Sequence, residues 1–171
     1  SAGNNVTKSL VKRNISLVLA FCGSKYHGLQ MSQQGNSTIE GEVHRALHEA
    51  GAISDSNAGD RKKVKWSSAS RTDKGVHAAC CVCSIKLMID QTLEGPADPR
   101  EPASERGPLP ATIVDSWNQR LPADIRILGA LRCSRNARAH TMCSHREYEY
   151  VLPAAALCGK SPRDLQRLLS S

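Results

Sequence analysis

The sequence predicts an α+β domain: an antiparallel β-sheet with helices packed on one face. Some stretches alternate apolar and polar residues, which is typical of strands, and others repeat apolar residues every three or four positions, which is typical of helices. They follow one another as strand, helix, strand, strand, helix, strand. This order is the ferredoxin-like β-α-β-β-α-β arrangement, and one further alternating stretch comes after it.

The first half of the chain supplies one strand and one helix. Residues 14–21 alternate and predict a strand, whereas the polar and basic residues 1–13 predict a loose arm. Residues 22–36 are rich in Gly, Ser and Gln and predict a loop. Thr38 is a typical residue to precede a helix. The helix that follows it presents one apolar stripe: Ile39, Val43, Leu47 and Ala50.

The second half supplies the remaining elements. A short strand is predicted near residues 64–69 and a long one over 76–89. A short helix around Trp117 is followed by strands over 125–133 and 146–152.

An insertion is predicted between the long strand and the second helix. Five of the eight prolines fall between residues 91 and 110, without an aromatic residue among them. We therefore interpret residues 91–110 as an insertion loop.

Composition indicates a polyanionic partner. The 171 residues, enough for one domain, carry a formal net charge of +7. One Phe, two Trp and three Tyr are too few for a module that stacks several bases on aromatic rings. Seven Cys without a framework-like spacing favour a reducing compartment. We expect neither a secretory signal nor a membrane span, because no apolar stretch approaches 18 residues.

Candidates for a metal site are weak. Cys80 and Cys83 lie three residues apart in a predicted strand, so their side chains point to opposite faces, and we expect small core and sheet residues. His44 and His48 lack the context of a helical zinc motif and are expected on a solvated helix face. The same helix carries three carboxylates that we expect to keep it soluble: Glu40, Glu42 and Glu49.

Asp73 is the carboxylate with unusual neighbours. It lies between Arg71 and Lys74 in a loop that enters a predicted strand, and the two cations favour its ionised form, which can act as a nucleophile or base. Gly75 lets the chain turn sharply there. The alternative interpretation is a charged surface turn.

Two basic stretches flank this loop. Residues 61–65 hold four cations, and residues 125–146 hold five Arg and no acidic residue, which suggests a track for phosphates. In the last predicted strand, Arg146, Tyr148 and Tyr150 share one face, and we expect at least one Tyr to pack in the sheet.

Five segments of the chain resemble motifs of the tRNA pseudouridine synthase A family, in the family's order. The most specific one is R-T-D-K-G-V-H-A, and an early G-x-x-Y-x-G-x-Q loop and a late R-x-Y-x-Y strand accompany it. The five segments are 23–30, 38–42, 71–78, 118–129 and 146–153. Details of the last two segments are similar to the family's eukaryotic branch.

The resemblance implies the N-terminal half of a catalytic domain that isomerises uridines in RNA, with tRNA first, to pseudouridine. It implies residues 14–153 as this half and 154–171 as a linker or the start of a missing C-terminal half. Asp73 would be the catalytic residue, Arg71 would brace the space left by a flipped base, and Tyr148 would stack on the uracil. No cofactor or metal is needed.

The resemblance and the charge together imply further, weaker RNA contacts, which are Lys25, Tyr26, Gln30, Arg61, Lys62, Lys63, Lys74, Arg138 and Arg146. Family relatives work in the nucleus and in mitochondria, and the oligomeric state stays open. The competing hypothesis is a non-catalytic ferredoxin-like RNA-binding domain, which would have no use for a carboxylate in a positive track.

Overall fold

The computed structural model describes residues 9–32, 34–90, 107–152, 159 and 161–169. This part of the chain forms an α+β protein, as predicted, whose strands and α-helices are β1 (Leu10–Phe21), α1 (Ile39–Glu49), β2 (Ser67–Ser68), β3 (Ala78–Asp90), α2 (Ala111–Asn118), β4 (Ile125–Arg132), α3 (Ala139–Met142) and α4 (Pro162–Leu169). Most of the predicted insertion loop lies outside the described residues. None of the described helices has the length and apolar character needed to cross a membrane.

The four described strands form one antiparallel sheet in the order β2-β3-β1-β4. β1 therefore lies between two neighbours, and Leu17 is opposite Cys83 of β3 on one side and Ala130 of β4 on the other. β1 begins earlier than predicted, because β3 is long enough to pair with it as far as Leu10, which is opposite Asp90. Residues 10–13 of the predicted arm thus belong to the sheet.

α1 and α2 cover one face of the sheet. Ile15 and Leu17 of β1 are fully buried and pack in one core with Leu47 of α1 and Trp117 of α2. α1 begins where the sequence predicts, since the Thr38 hydroxyl accepts a hydrogen bond from the Gly41 amide at 3.2 Å.

The one-turn helix α3 lies against the opposite face. Its first residue, Ala139, donates its amide hydrogen to the Ser84 hydroxyl at 3.1 Å. Ser84 precedes the core residue Ile85 in β3, and neighbouring residues of a strand point to opposite faces. The expectation that the helices pack on one face of the sheet therefore does not hold for α3. The sequence analysis missed α3 because four residues are too few to show a helical repeat of apolar residues.

Two predicted strands differ from the structure. β2 contains only Ser67 and Ser68, because Lys65 adopts a left-handed backbone with φ 53° and interrupts the extended chain. The prediction of a strand over 146–152 is wrong. Tyr148 and Tyr150 are 74 % and 84 % exposed, and neither packs in the sheet. Alternating apolar and polar residues indicate only that a strand would have one buried face. A strand also needs a neighbouring strand that pairs with its backbone N–H and C=O groups, and none of the described strands pairs with residues 146–152.

Candidate active site

The Asp73 loop (residues 69–77) connects the edge strand β2 to β3. Asp73 and its flanking cations, Arg71 and Lys74, are all exposed. Gly75 has φ 82°, so the chain turns sharply here as predicted. The carboxylate is accessible to a substrate that approaches from outside.

The early loop (residues 23–31) lies against the Asp73 loop. The Leu29 amide donates to the carbonyl oxygen of Thr72 at 3.0 Å. A Cβ atom at Gly28 would lie 2.7 Å from the same oxygen, so the contact requires a residue without a side chain. The early loop and the Asp73 loop, which the sequence analysis identified as separate motifs, are therefore in direct backbone contact.

Tyr26 links the early loop to the segment before β4. Its hydroxyl donates to Asp124 Oδ1 at 2.7 Å, and Lys25 Nζ lies 3.4 Å from Asp124 Oδ2. Burial and this hydrogen bond raise the pKa of Tyr26, whereas the same bond lowers the pKa of Asp124. The Tyr26 carbonyl oxygen accepts from the Gly75 amide at 3.3 Å. Tyr26 is thus a buried support of the Asp73 loop, whereas Lys25 and Gln30 are exposed.

An open pocket of about 420 Å³ adjoins the Asp73 loop. It is lined by Ala69, Ser70, Arg71, His140, Arg146 and Tyr148. Arg146 Nε donates to the carbonyl oxygen of Ala69 at 2.8 Å and holds the later segment against the loop. The structure therefore brings together three predicted residues, Arg71, Arg146 and Tyr148. Asp73 is two residues from Arg71 but does not line the pocket.

The two basic stretches meet in a second pocket, of about 230 Å³. Its lining is Asn14, Lys65, Arg135, Asn136, Ala137 and Arg138. Arg138 therefore lines a different pocket from Arg71, Arg146 and Tyr148.

The remaining basic candidates, Arg61, Lys62 and Lys63, differ in exposure. Lys62 and Lys63 are exposed, and Lys63 Nζ donates to the carbonyl oxygen of Ser56 at 2.8 Å. Arg61 instead donates from Nε to Glu40 Oε1, so its guanidinium already has an anionic partner within the protein. The role of all three as RNA contacts stays a prediction.

A buried polar cluster was missed by the sequence analysis. Glu40 and His44 are 0 % and 3 % exposed, so the expectation that both solvate α1 is wrong. The His44 ring packs edge-on against Trp66 with centroids 5.2 Å apart, and Arg61 pairs with Glu40. Burial raises the pKa of Glu40 and lowers the pKa of His44 to about 4. The sequence did contain a signal for the burial of these two residues. Glu40 and His44 are spaced by four and three residues from one another and from Leu47, which places them on the same face of α1 as this core residue.

The suggested metal ligands do not converge. Cys80 is exposed and Cys83 is buried, so they face opposite ways as predicted. His44 is in the core, whereas His48 Nε2 lies 2.7 Å from Asp55 Oδ1. Among the described residues, no group of three or more His, Cys, Asp or Glu is arranged to hold a metal ion.

The site offers three chemical capabilities around an open pocket. The Asp73 carboxylate can attack an electron-poor carbon or remove a proton. The guanidinium groups of Arg71 and Arg146 can bind phosphate. The exposed ring of Tyr148 can stack on a nucleobase.

Comparisons with known proteins give one consistent result. The chain is 35 % identical to tRNA pseudouridine synthase 1 of Yarrowia lipolytica, over 88 % of this chain and 25 % of that protein. It is 37 % identical to tRNA pseudouridine synthase 1 of Saccharomyces cerevisiae, over 94 % of this chain and 26 % of that protein. It is 35 % identical to the pseudouridylate synthase 1 homolog of Mus musculus, over 93 % of this chain and 33 % of that protein. No protein-family model matches the chain.

These matches confirm the resemblance that the motifs indicate. Over about nine tenths of its length, the chain is homologous to proteins named tRNA pseudouridine synthase 1. It spans only about a quarter to a third of the length of the relatives named above.

Proposed function

We propose, on the basis of this homology, that the chain is the N-terminal part of a tRNA pseudouridine synthase and that Asp73 is its catalytic residue. One observation carries the proposal. In a chain homologous to these synthases, Asp73 is exposed on a sharply turned loop beside a pocket that holds Arg71, Arg146 and Tyr148. The relatives' names supply the reaction and the class of RNA.

The proposed reaction breaks the bond between N1 of uracil and C1′ of the ribose and forms a bond between C5 and C1′. The base turns within the site, C5 loses its proton and N1 gains one, so the reaction needs no oxidant, cofactor or metal. Asp73 either attacks C1′ and forms an ester that C5 displaces, or removes the C2′ proton to give a glycal. Both routes need an accessible, ionised carboxylate.

The uridine must leave its stack to reach this carboxylate. Arg71, exposed at the rim of the pocket, would fill or brace the vacated space. Tyr148, also exposed, would stack on the flipped uracil, and Arg146 would bind a neighbouring phosphate. The open pocket matches this assignment because a flipped nucleotide can enter it from solvent.

The other basic side chains would bind the RNA backbone. Lys65 and Arg138 line one concave surface, separate from the pocket that holds Arg71 and Tyr148, which suits an RNA that extends beyond the reacting nucleotide. Lys25 and Gln30 of the early loop and Lys74 of the Asp73 loop are exposed candidates, and so are Lys62 and Lys63 in the segment before β2.

We interpret the strand order and the β-α-β-β-α-β succession as a ferredoxin-like unit that begins with β1 at residue 10 instead of 14 and ends near residue 153, with 154–171 leading into the rest of the enzyme. That remaining part would provide the opposite wall of the cleft and a basic residue facing Asp73. Nucleus and mitochondrion as the compartments stay predictions from the resemblance.

A non-catalytic RNA-binding domain is the alternative function. It is disfavoured by Asp73, because an exposed carboxylate beside Arg71 repels the phosphates that such a domain binds. Under this alternative, neutralising Asp73 would strengthen RNA binding and no isomerisation would be seen.

The test is Asp73→Asn in the full-length protein that contains this chain. Asn has nearly the same shape but neither attacks carbon nor accepts the proton well, so pseudouridine formation should fall by several orders of magnitude. Tritium release from C5-labelled uridine in tRNA measures it. Asp115→Asn, an exposed carboxylate on α2, is the matched control and should stay fully active. Turnover of Asp73→Asn within about tenfold of the parent contradicts the assignment.

A second test uses residues 1–171 alone. This chain should bind tRNA weakly, with an affinity that falls steeply as salt rises, because phosphate contacts dominate. It should not isomerise uridine, since an open site leaves the charges screened by water. Efficient isomerisation by this chain would show that it builds a whole site without further sequence.

A further inference from the structure

We propose that Glu40 is a positioning residue that fixes the early loop on α1 and thereby places the backbone of Asp73. Arg61 takes part by holding the second oxygen of the Glu40 carboxylate. The inference rests on the proposed function, because placing Asp73 matters for the rate only if Asp73 reacts.

Glu40 is a fully buried carboxylate whose two oxygens bind two different segments. Oε2 accepts a hydrogen bond from the Met31 amide at 2.8 Å, and Oε1 accepts from Arg61 Nε. A buried carboxylate destabilises a protein strongly unless it is paired and hydrogen-bonded. Here the pairing joins the end of the early loop to the segment that precedes β2.

The first turn of α1 binds the same loop through its backbone. The Glu40 amide donates to the carbonyl oxygen of Leu29 at 2.9 Å, and the Ile39 amide donates to the carbonyl oxygen of Gly28 at 3.2 Å. The loop is thus held at Gly28, Leu29 and Met31. Of these three bonds, only the one to Met31 depends on a side chain.

The held residues are the ones that contact the Asp73 loop. The Leu29 amide donates to the carbonyl oxygen of Thr72 at 3.0 Å, and Gly28 closely approaches the same oxygen. Thr72 directly precedes Asp73. A loop that loses its anchor at Met31 would let this contact shift, and misplacing a reacting group by about 1 Å can slow a reaction about 100-fold.

Stability and positioning can be separated by substitution. Replacing both partners of a buried ion pair with apolar residues of similar volume is often neutral or stabilising. A Met pair at positions 40 and 61 therefore keeps the fold but gives the Met31 amide no acceptor. Gln at position 40 with Met at position 61 keeps one acceptor oxygen within reach of that amide.

The experiment compares the double variants E40Q/R61M and E40M/R61M in the full-length synthase. We expect E40Q/R61M to keep kcat within about threefold of wild type and E40M/R61M to lose kcat at least about tenfold, with KM and the melting temperature similar in both. Hydrogen exchange of the Leu29 and Met31 amides should be faster in E40M/R61M than in E40Q/R61M. Equal kcat and equal exchange in the two variants overturn the proposal.

Two further outcomes are decided by the same measurements. If wild-type protein forms no pseudouridine, the proposed function fails, and the exchange rates alone decide whether Glu40 holds the loop. If E40M/R61M does not fold, the single variant E40Q tests the proposal. The Gln side chain has one carbonyl oxygen for two donors, the Met31 amide and the Arg61 guanidinium. The kcat of E40Q should then fall at least about threefold and Met31 should exchange faster. Unchanged values contradict the positioning role.

Discussion

Asp73 and Glu40 are two carboxylates of one chain in opposite surroundings. Asp73 is exposed on a loop between two cations that lie within two residues of it in the sequence. Glu40 is fully buried, and its partners come from two other segments. The neighbours of Asp73 are therefore visible in the sequence, and those of Glu40 are not. A motif reveals the first residue, and only the folded chain reveals the second.

The two regions also differ in what holds them in place. The Asp73 loop is held by backbone hydrogen bonds and by glycines that permit close contact, so it should be sensitive to added volume. The cluster around Glu40 combines Arg61, His44 and Trp66, so it should be sensitive to charge and pH. The following predictions test this contrast.

Gly23→Ala should have the largest effect on stability. A Cβ atom there would lie 2.0 Å from the carbonyl oxygen of Val76, so the early loop and the Asp73 loop must separate. We expect a loss of about 3 kcal/mol of unfolding free energy, typical of overpacking, together with a strong loss of activity. Urea denaturation measures the first. Gly129→Ala is the control, since nothing lies within 4 Å of that position, and it should be neutral or slightly stabilising.

His44 should make stability fall in acid. Burial lowers its pKa from 6.5 to about 4, so between these values the unfolded chain binds a proton that the folded chain does not. The stabilisation is complete above about pH 6.5 and is lost as the pH falls, by about 3 kcal/mol near pH 4. Burial raises the pKa of Glu40, and this acts in the opposite direction.

The measurement is the unfolding free energy of wild type and of His44→Phe at several pH values. Because Glu40 is present in both proteins, the difference between them isolates His44. The wild type should lose more stability than the variant between about pH 7 and pH 4. Parallel curves would show that His44 has the same pKa in the folded and the unfolded chain.

Tyr148 should matter for RNA and not for folding, since its side chain is 74 % exposed. Tyr148→Ala should weaken binding of substrate RNA by about 1–3 kcal/mol through lost stacking, whereas Tyr148→Phe keeps the ring and the affinity. Filter binding measures the affinities and thermal unfolding should not change. Equal wild-type activity in both variants would leave Tyr148 without a role in the reaction.

Glu42→Gln should have the smallest effect and sharpens the comparison with Glu40 on the same helix. Glu42 pairs with Arg45 at 2.8 Å on the surface, where an ion pair contributes about 0.5 kcal/mol. Urea denaturation should show this small loss at about 0.05 M salt and almost none at about 0.5 M. A loss as large as that of Glu40→Gln would mean that burial does not distinguish the two residues.

The local sequence pattern predicted the helices and strands that depend on residues near one another along the chain. Thr38 marked the start of α1, alternation located β1 and β3, and the step from Cys80 to Cys83 was read correctly as a change of face. Elements that depend on distant partners were misjudged. β1 reaches back to Leu10 because β3 pairs with it there, and the stretch 146–152 forms no strand in the described residues because no neighbour is present.

By itself, the sequence determined the α+β class, the helix and strand periodicities, the positive charge and the motif around Asp73, because each depends on residues that are near one another along the chain. Only the tertiary structure decided that the early loop seats the Asp73 loop, that Arg71, Arg146 and Tyr148 share one pocket, and that Glu40 binds Met31 and Arg61. Hydrogen bonds and burial between segments far apart in sequence depend on distances in space, and folding alone sets those distances.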